Sequence, residues 1–265
     1  MSIITLTTDF GLEDGYVAAM RGVILGLGPS LTVVDVSHAI AAQAAPQAAY
    51  VLSTVVPYYP PQAVHLVVVD PGVGSARRPM ALRCAWGTFV GPDNGVIPAA
   101  LDFLGAWGAW QAAHLTRPAY WRAAEVSATF HGRDIFAPVA AHLALGAPIE
   151  DVGEPLSDPL RLPDIRPTRT EDGGWDGVVI HVDHFGNLIT NIPGSAVAGG
   201  AASVEAAGVT MPVVRTYADV AVGEALAYVG SSGLVEVAVR DGRAAARLGV
   251  GVGAPVRLRC NPRES

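Results

Sequence analysis

The sequence predicts two parts: an α/β N-terminal domain with a mostly parallel, Rossmann-like sheet, then a smaller all-β, barrel-like C-terminal domain. Two patterns predict it. Strand-like and helix-like segments alternate over roughly the first 150 residues, the signature of helices layered on a sheet. Beyond a proline-rich stretch the pattern becomes short strands separated by turns, with no long amphipathic helix. The expected boundaries are residues 1–160, a linker at 161–175, and 176–265. Composition agrees with a folded chain. Of 265 residues, 51% are hydrophobic and 15% charged, too apolar for disorder and long enough for a sizeable core.

In order along the chain, Ile3–Thr8 is a β-rich run ending at Asp9-Phe10-Gly11. Asp14–Leu27 places Val17, Met20, Ile24 and Leu27 on one helical face. Leu31–Val36 is apolar and β-branched, and Gln47–Val56 reads as a helix stopped by Pro57 and Pro60-Pro61. Val64–Val69 is apolar on both faces, as a buried parallel strand requires, and ends at Asp70. Ala81–Cys84 and Thr88–Val90 are short strands around a turn. Asp134–Leu145 is a helix with Ile135, Val139, His142 and Leu143 on one face, Pro138 near its start and Asp134 a candidate N-cap. Pro155, Pro159, Pro163 and Pro167 mark the connection. Gly177–Val182, Ala202–Ala206, Val209–Val214, Leu226–Val229, Leu234–Val239 and Pro255–Arg259 are the later strands.

Several function classes fall away. The net charge is −7, with 17 basic and 24 acidic residues, which argues against a nucleic-acid surface. Every basic residue is arginine, so a Schiff-base lysine or a Walker A lysine is excluded. Cys84 and Cys260 fit no metal or redox spacing. No apolar run approaches the ~18 residues of a membrane span, and the N-terminus reads as a strand rather than a signal peptide, so a cytoplasmic protein is expected.

Ligands of parallel sheets sit beyond the carboxyl ends of strands, which makes Asp9 and Asp70 the first candidates. In Asp70-Pro71-Gly72-Val73-Gly74-Ser75-Ala76-Arg77-Arg78 the glycines permit close backbone approach, and an arginine can orient the carboxylate; a structural salt bridge closing the turn is the alternative. His131, in Phe130-His131-Gly132-Arg133-Asp134, lies at a loop-to-helix junction, either as a functional or as a structural histidine. In a strand, His181 and His184 face opposite ways, so His181-Val182-Asp183-His184 suits a binding loop better than a metal site. Gly230-Ser231-Ser232-Gly233 does not match a nucleophile elbow.

Taken together in this order, Thr7-Thr8-Asp9-Phe10-Gly11, Val34-Asp35-Val36-Ser37-His38, Val69-Asp70-Pro71-Gly72-Val73-Gly74, Gly91-Pro92-Asp93-Asn94-Gly95, Thr129–Asp134, Asp183-His184-Phe185-Gly186-Asn187 and Ser231–Ala238 resemble the S-adenosyl-L-methionine (SAM) hydroxide adenosyltransferases, relatives of the fluorinase and chlorinase. The resemblance implies a homotrimer and hydrolysis of SAM to adenosine and L-methionine by water attacking the ribose C5′, with no cofactor and no metal. It implies a catalytic set of Asp70, Arg77 and His131, with Arg78 the alternative arginine and the proton acceptor left open between Asp70 and His131. The fluorinase has tyrosine in place of both the aspartate and the histidine, so the water-using branch is expected, with a SAM-dependent halogenase forming a 5′-halo-5′-deoxyadenosine or a non-catalytic adenosine- or SAM-binding protein as the alternatives. Asp9 matches the carboxylate that takes the ribose hydroxyls, with Asp14 in the same loop. Phe130, Phe185 and Tyr217 match aromatic positions around the nucleoside, and Asp183, Asn187 and Ser231 the groups at the amino-acid end. Ser232 stands where the fluorinase has arginine, and Gln43 where it has tryptophan. Backbone groups near Val239 and Asp241 would read the adenine edge.

Overall fold

The computed structural model describes residues 2–105, 108–197 and 202–260; the outermost residues of the two expected domains, Met1 and 261–265, lie outside it. The chain divides into two compact units, Met1–Leu162 and Pro163–Ser265.

The first unit runs β1 (Ile3–Thr8), α1 (Tyr16–Leu27), β2 (Thr32–Ser37), α2 (Ala45–Val55), β3 (Val64–Val68), β4 (Pro79–Cys84), β5 (Gly87–Pro92), α3 (Val96–Phe103), β6 (Trp110–His114), α4 (Ala137–Ala144) and β7 (Glu154–Pro155). Its sheet has the order β2-β1-β3-β5-β4-β6-β7. Alternate side chains of β3 enter opposite cores, as a strand's two-residue period demands. Leu66 and Val68 join Met20, Ile24, Ile135 and Val139 from α1 and the α4 region. Val67 and Val69 join Leu52, Ile97 and Leu101 from α2 and α3. Helices therefore cover both faces.

The expectation of a mostly parallel sheet is corrected here. β2, β1, β3 and β5 are parallel. β5–β4, β4–β6 and β6–β7 are antiparallel. The cause is the short Cys84–Gly87 connection, too brief for a crossover helix, so β5 returns alongside β4. Two further corrections concern local structure. Leu27, expected on one helical face with Val17, Met20 and Ile24, is 41% exposed because the helix ends there, at Gly28, whereas Met20 and Ile24 are buried. Asp134 is not an N-cap: it lies inside a π-helical turn, Gly132–Phe136, that precedes α4. Pro138 does occupy the first turn of α4, where no backbone N–H is needed.

The second unit comprises β8 (Thr168–Arg169), β9 (Trp175–Val182), β10 (Leu188–Pro193), β11 (Ala202–Ala206), β12 (Val209–Pro212), β13 (Ala225–Val229), β14 (Leu234–Val239), the short helix α5 (Ala244–Leu248) and β15 (Pro255–Cys260). The path β12-β11-β15-β9-β10-β14-β13 is antiparallel throughout, with β8 on β9. A bridge between Val213 and Ala227 brings the two ends of that path together, giving a nearly closed barrel. Inside lie Val179, Leu188, Val204, Met211, Val237 and Leu258. No helix among the described residues is long and apolar enough to cross a membrane.

Candidate active site

In the first unit the candidates collect at the carboxyl rim of the parallel strands. β3 ends one residue before Val69-Asp70, and the chain turns back through Gly72 and Gly74 into β4. Gly74 has φ +77°, and a Cβ there would lie 2.6 Å from the Ala128 carbonyl oxygen. Its bare backbone lets this loop lie against the segment that leads to His131.

Arg77 joins the three expected residues. Its Nε donates to Asp70 Oδ1 at 3.1 Å, and its Nη2 donates to Asp70 Oδ2. Nη2 also lies 3.0 Å from His131 Nδ1. The Arg77 and Asp70 side chains are only 6% and 5% exposed. The guanidinium stands 5.3 Å from the centre of the Phe136 ring. Burial, reinforced by Arg77, pushes the His131 pKa down, which favours the neutral ring. Since Arg77 only donates, Nδ1 accepts and the ring proton sits on Nε2. Arg77 Nη1 is buried with no hydrogen-bond partner among the described residues. Arg78 points elsewhere, donating to Asp93 at 2.8 Å and to Asp158 at 2.9 Å.

Asp9 follows β1. Its Oδ2 accepts from the backbone N–H of Gln43 at 2.8 Å. Gln43 adopts φ +65°, uncommon for a residue with a side chain, and this aims its N–H at the carboxylate. Beside them Thr8 Oγ1 lies 2.8 Å from His38 Nδ1, and the His38 carbonyl accepts from Gly11 N–H. Asp14 is exposed on the loop before α1. Phe130 forms an aromatic cluster with Phe10 and Tyr16, at centroid distances of 5.9 and 5.3 Å. Asp134 accepts from Arg122, Arg133 and Ser127 N–H, so it ties the segment before His131 to the turn after it. Hydrogen bonding from Arg133 holds its pKa far below the usual carboxylate range.

In the second unit, Asp183 closes the turn between β9 and β10. Its Oδ1 accepts from Asn187 N–H at 2.8 Å and its Oδ2 from Asn187 Nδ2 at 2.9 Å. Gly186, at φ +84°, permits that turn. Asn187 Nδ2 also donates to the Tyr217 hydroxyl at 3.1 Å. Phe185 is 70% exposed. Ser231 is exposed, whereas the Ser232 hydroxyl is buried without a partner among the described residues. The Val239 carbonyl accepts from Gly242 N–H, and Asp241 sits at φ +55° in that turn.

Sequence reasoning missed the continuation of the Tyr217 contact. Tyr217 and Tyr228 hydroxyls are 2.6 Å apart, and the Tyr228 hydroxyl donates to Glu236 Oε2 at 2.5 Å. The available signal was Glu236 itself, a charge inside the apolar run Leu234–Val239 and 8% exposed in the structure. Among the described residues, no group of three or more His, Cys, Asp or Glu side chains is placed to hold a metal ion.

A strand-end carboxylate gripped by a buried arginine and a neutral histidine is the equipment of an enzyme acting on a small polar molecule. Residues 4–153 match the model of the SAM hydroxide adenosyltransferase N-terminal domain, and residues 177–257 that of the C-terminal domain. The chain belongs to the SAM hydroxide adenosyltransferase family. It is 48% identical to the (R)-S-adenosyl-L-methionine hydrolase of Salinispora tropica, over 96% of this chain and 97% of that one. It is 28% identical to a fluorinase of an Actinoplanes species, over 89% of this chain and 90% of that one. A crystal structure of an uncharacterized conserved protein from Thermotoga maritima superposes with a TM-score of 0.89 at 34% identity, covering 96% of this chain and 99% of that one.

Proposed function

We propose that this enzyme hydrolyses S-adenosyl-L-methionine, in the (R) form named for its Salinispora relative, to adenosine and L-methionine. One observation carries the reading: Arg77 grips Asp70 and His131 while its Nη1 remains without a partner among the described residues. A buried, unspent cationic donor favours an oxygen that gains negative charge during attack. The water oxygen forms a bond to C5′ and the C5′–S bond breaks. The electron pair goes to sulfur, which leaves as the neutral thioether of methionine. The water proton passes to Asp70 and then to solvent. Asp70 is the better acceptor because Arg77 already occupies His131 Nδ1, and the Nε2–H can only donate to the oxygen. The sulfonium supplies its own leaving-group activation, so the reaction calls for neither metal nor cofactor.

The remaining roles follow the same reading. Asp9, assisted by Asp14, holds the ribose hydroxyls; Phe130, Phe185 and Tyr217 flank the nucleoside; Asp183, Asn187 and Ser231 face the amino-acid end. Backbone near Val239 and Asp241 reads the adenine edge. On this reading residues 1–160 carry the reacting groups, and residues 176–265 carry the groups for the adenine and the amino-acid end. A homotrimer suits the exposed Leu12 and Tyr16 beside Asp9, 79% and 48% accessible, which a neighbouring copy would cover. The free thiols Cys84 and Cys260 suit a cytoplasmic setting.

The test is incubation with (R)- and (S)-SAM in 18O-labelled water. Equimolar adenosine and methionine, with the label on the adenosine 5′-oxygen, is the expected result. No turnover of either epimer, an unlabelled 5′-oxygen, or a 5′-halo-5′-deoxyadenosine in the presence of fluoride or chloride would overturn it.

A further inference from the structure

We propose that Tyr228 and Glu236 are positioning residues that lock the Asn187 side-chain amide in one orientation and reserve its Oδ1 for an N–H donor on the ligand. The inference rests on the reading of this unit as part of a SAM site.

Each hydrogen bond around Asn187 has a direction fixed by the chemistry of its partner. Asp183 Oδ2 lies 2.9 Å from the Asn187 amide and is an acceptor, so the amide must present Nδ2 to it. The second Nδ2 hydrogen goes to the Tyr217 oxygen at 3.1 Å. Having accepted there, Tyr217 turns its own proton to Tyr228, 2.6 Å away. Tyr228 passes its proton to Glu236 Oε2. Both ends of the chain are carboxyl groups, and every donor between them points away from Asn187. Both amide hydrogens are thereby spent. Oδ1 accepts from no group among the described residues.

Glu236 is held for this task. It is 8% exposed, and a Cβ at Gly230 would collide with its carboxylate, so the backbone itself backs the group. A buried carboxyl on an otherwise apolar strand costs stability without improving the barrel core. Without it, Tyr228 has no fixed acceptor. Tyr217 is then free to turn its proton towards Asn187, so the amide keeps only Asp183 of the two acceptors that hold it, and Oδ1 is less firmly reserved for the ligand.

In SAM, an N–H donor is available from two places: the exocyclic amine of adenine and the α-ammonium of the methionine part. Two pairs of ligands separate them. Adenosine and inosine differ in having an amine or a carbonyl at the purine 6-position. SAM and an analogue with hydrogen in place of the α-ammonium differ at the other end. Affinities of the first pair are measured by calorimetry, and KM and kcat of the second by product formation, for the whole protein and for Y228F and E236L, each of which removes one link of the chain and is checked by circular dichroism and thermal melting.

The expected result is that the wild-type protein prefers the N–H-bearing member of one pair, and that both variants lower this preference about tenfold, through KM or Kd with kcat changed less than about threefold. A folded variant that keeps the wild-type preference in both pairs overturns the proposal. So does a wild-type protein indifferent within both pairs. A wild-type protein that binds neither adenosine nor SAM overturns the functional reading and this inference with it.

Discussion

Arg77 combines three jobs in one planar group: it fixes a carboxylate, it sets the tautomer of a histidine, and it keeps one donor in reserve. Asp70→Asn should therefore lower kcat by at least about a hundredfold while leaving KM within a few fold, because the lost proton acceptor matters mainly in the transition state. Asp9→Ala should do the reverse, raising KM with a smaller effect on kcat; initial-rate measurements separate the two. A second titratable group affects the fold rather than the reaction. His65 is fully buried, 2.9 Å from Thr5 Oγ1 and stacked near Phe89, and burial lowers its pKa from 6.5 to about 4. The folded state thus excludes a proton that the unfolded chain accepts below its ordinary pKa. Stability should be full above pH 6.5 and fall by about 3 kcal/mol as the pH drops towards 4. Thermal melts of the wild type and His65→Phe across that range test this, and the variant should show a shallower pH slope.

At the scale of elements, what could be read from the sequence depended on how apolar periodicity met burial. β1 and β3 carry continuous apolar or β-branched runs, and the structure places them centrally in the first sheet. α3, β6 and β10 are not announced by the sequence pattern. Pro98 interrupts the helical signal of α3. β6 offers only Trp110-Gln111-Ala112-Ala113-His114, too short and alanine-rich to announce a strand. β10 buries Thr190 and Asn191, which read as loop residues. Their polar atoms are paired with the Val235 carbonyl and with Val178 N–H, respectively, which is what lets them enter the barrel. Likewise, the loop motifs locate Asp9, Asp70 and Asp183, whereas the charge of Glu236 inside an apolar run signals a buried polar contact without telling that Tyr228 is its partner. Glycines give a direct test at this scale. Gly22 and Gly26 in α1 have open space where a Cβ would stand, so G22A and G26A should each raise stability by about 1 kcal/mol. Gly91 in β5 would drive a Cβ into the Val67 carbonyl of β3, so G91A should cost several kcal/mol or prevent folding. Denaturant melts of the three variants make the comparison.

For the whole molecule, the proposed assembly has a mass prediction. Light scattering should give three times the chain mass, and Leu12→Glu, placing a charge on the 79% exposed side chain next to the Asp9 loop, should shift the protein towards monomer with a parallel loss of SAM turnover. A single species of one chain mass that retains full turnover would remove the trimer from the account.

The contacts of Arg77 also differ in how far apart they are along the polypeptide. Asp70 is 7 positions away, within the single loop that joins β3 to β4, whereas His131 is 54 away. Ring closure over so few residues costs little chain entropy, while recruiting the imidazole depends on the π-helical turn and the Asp134 clamp being in place. Amide exchange should register this as an order of events on warming, with protection around the histidine disappearing before that of the aspartate–arginine loop, so that catalysis fades at temperatures where most of the sheet still survives.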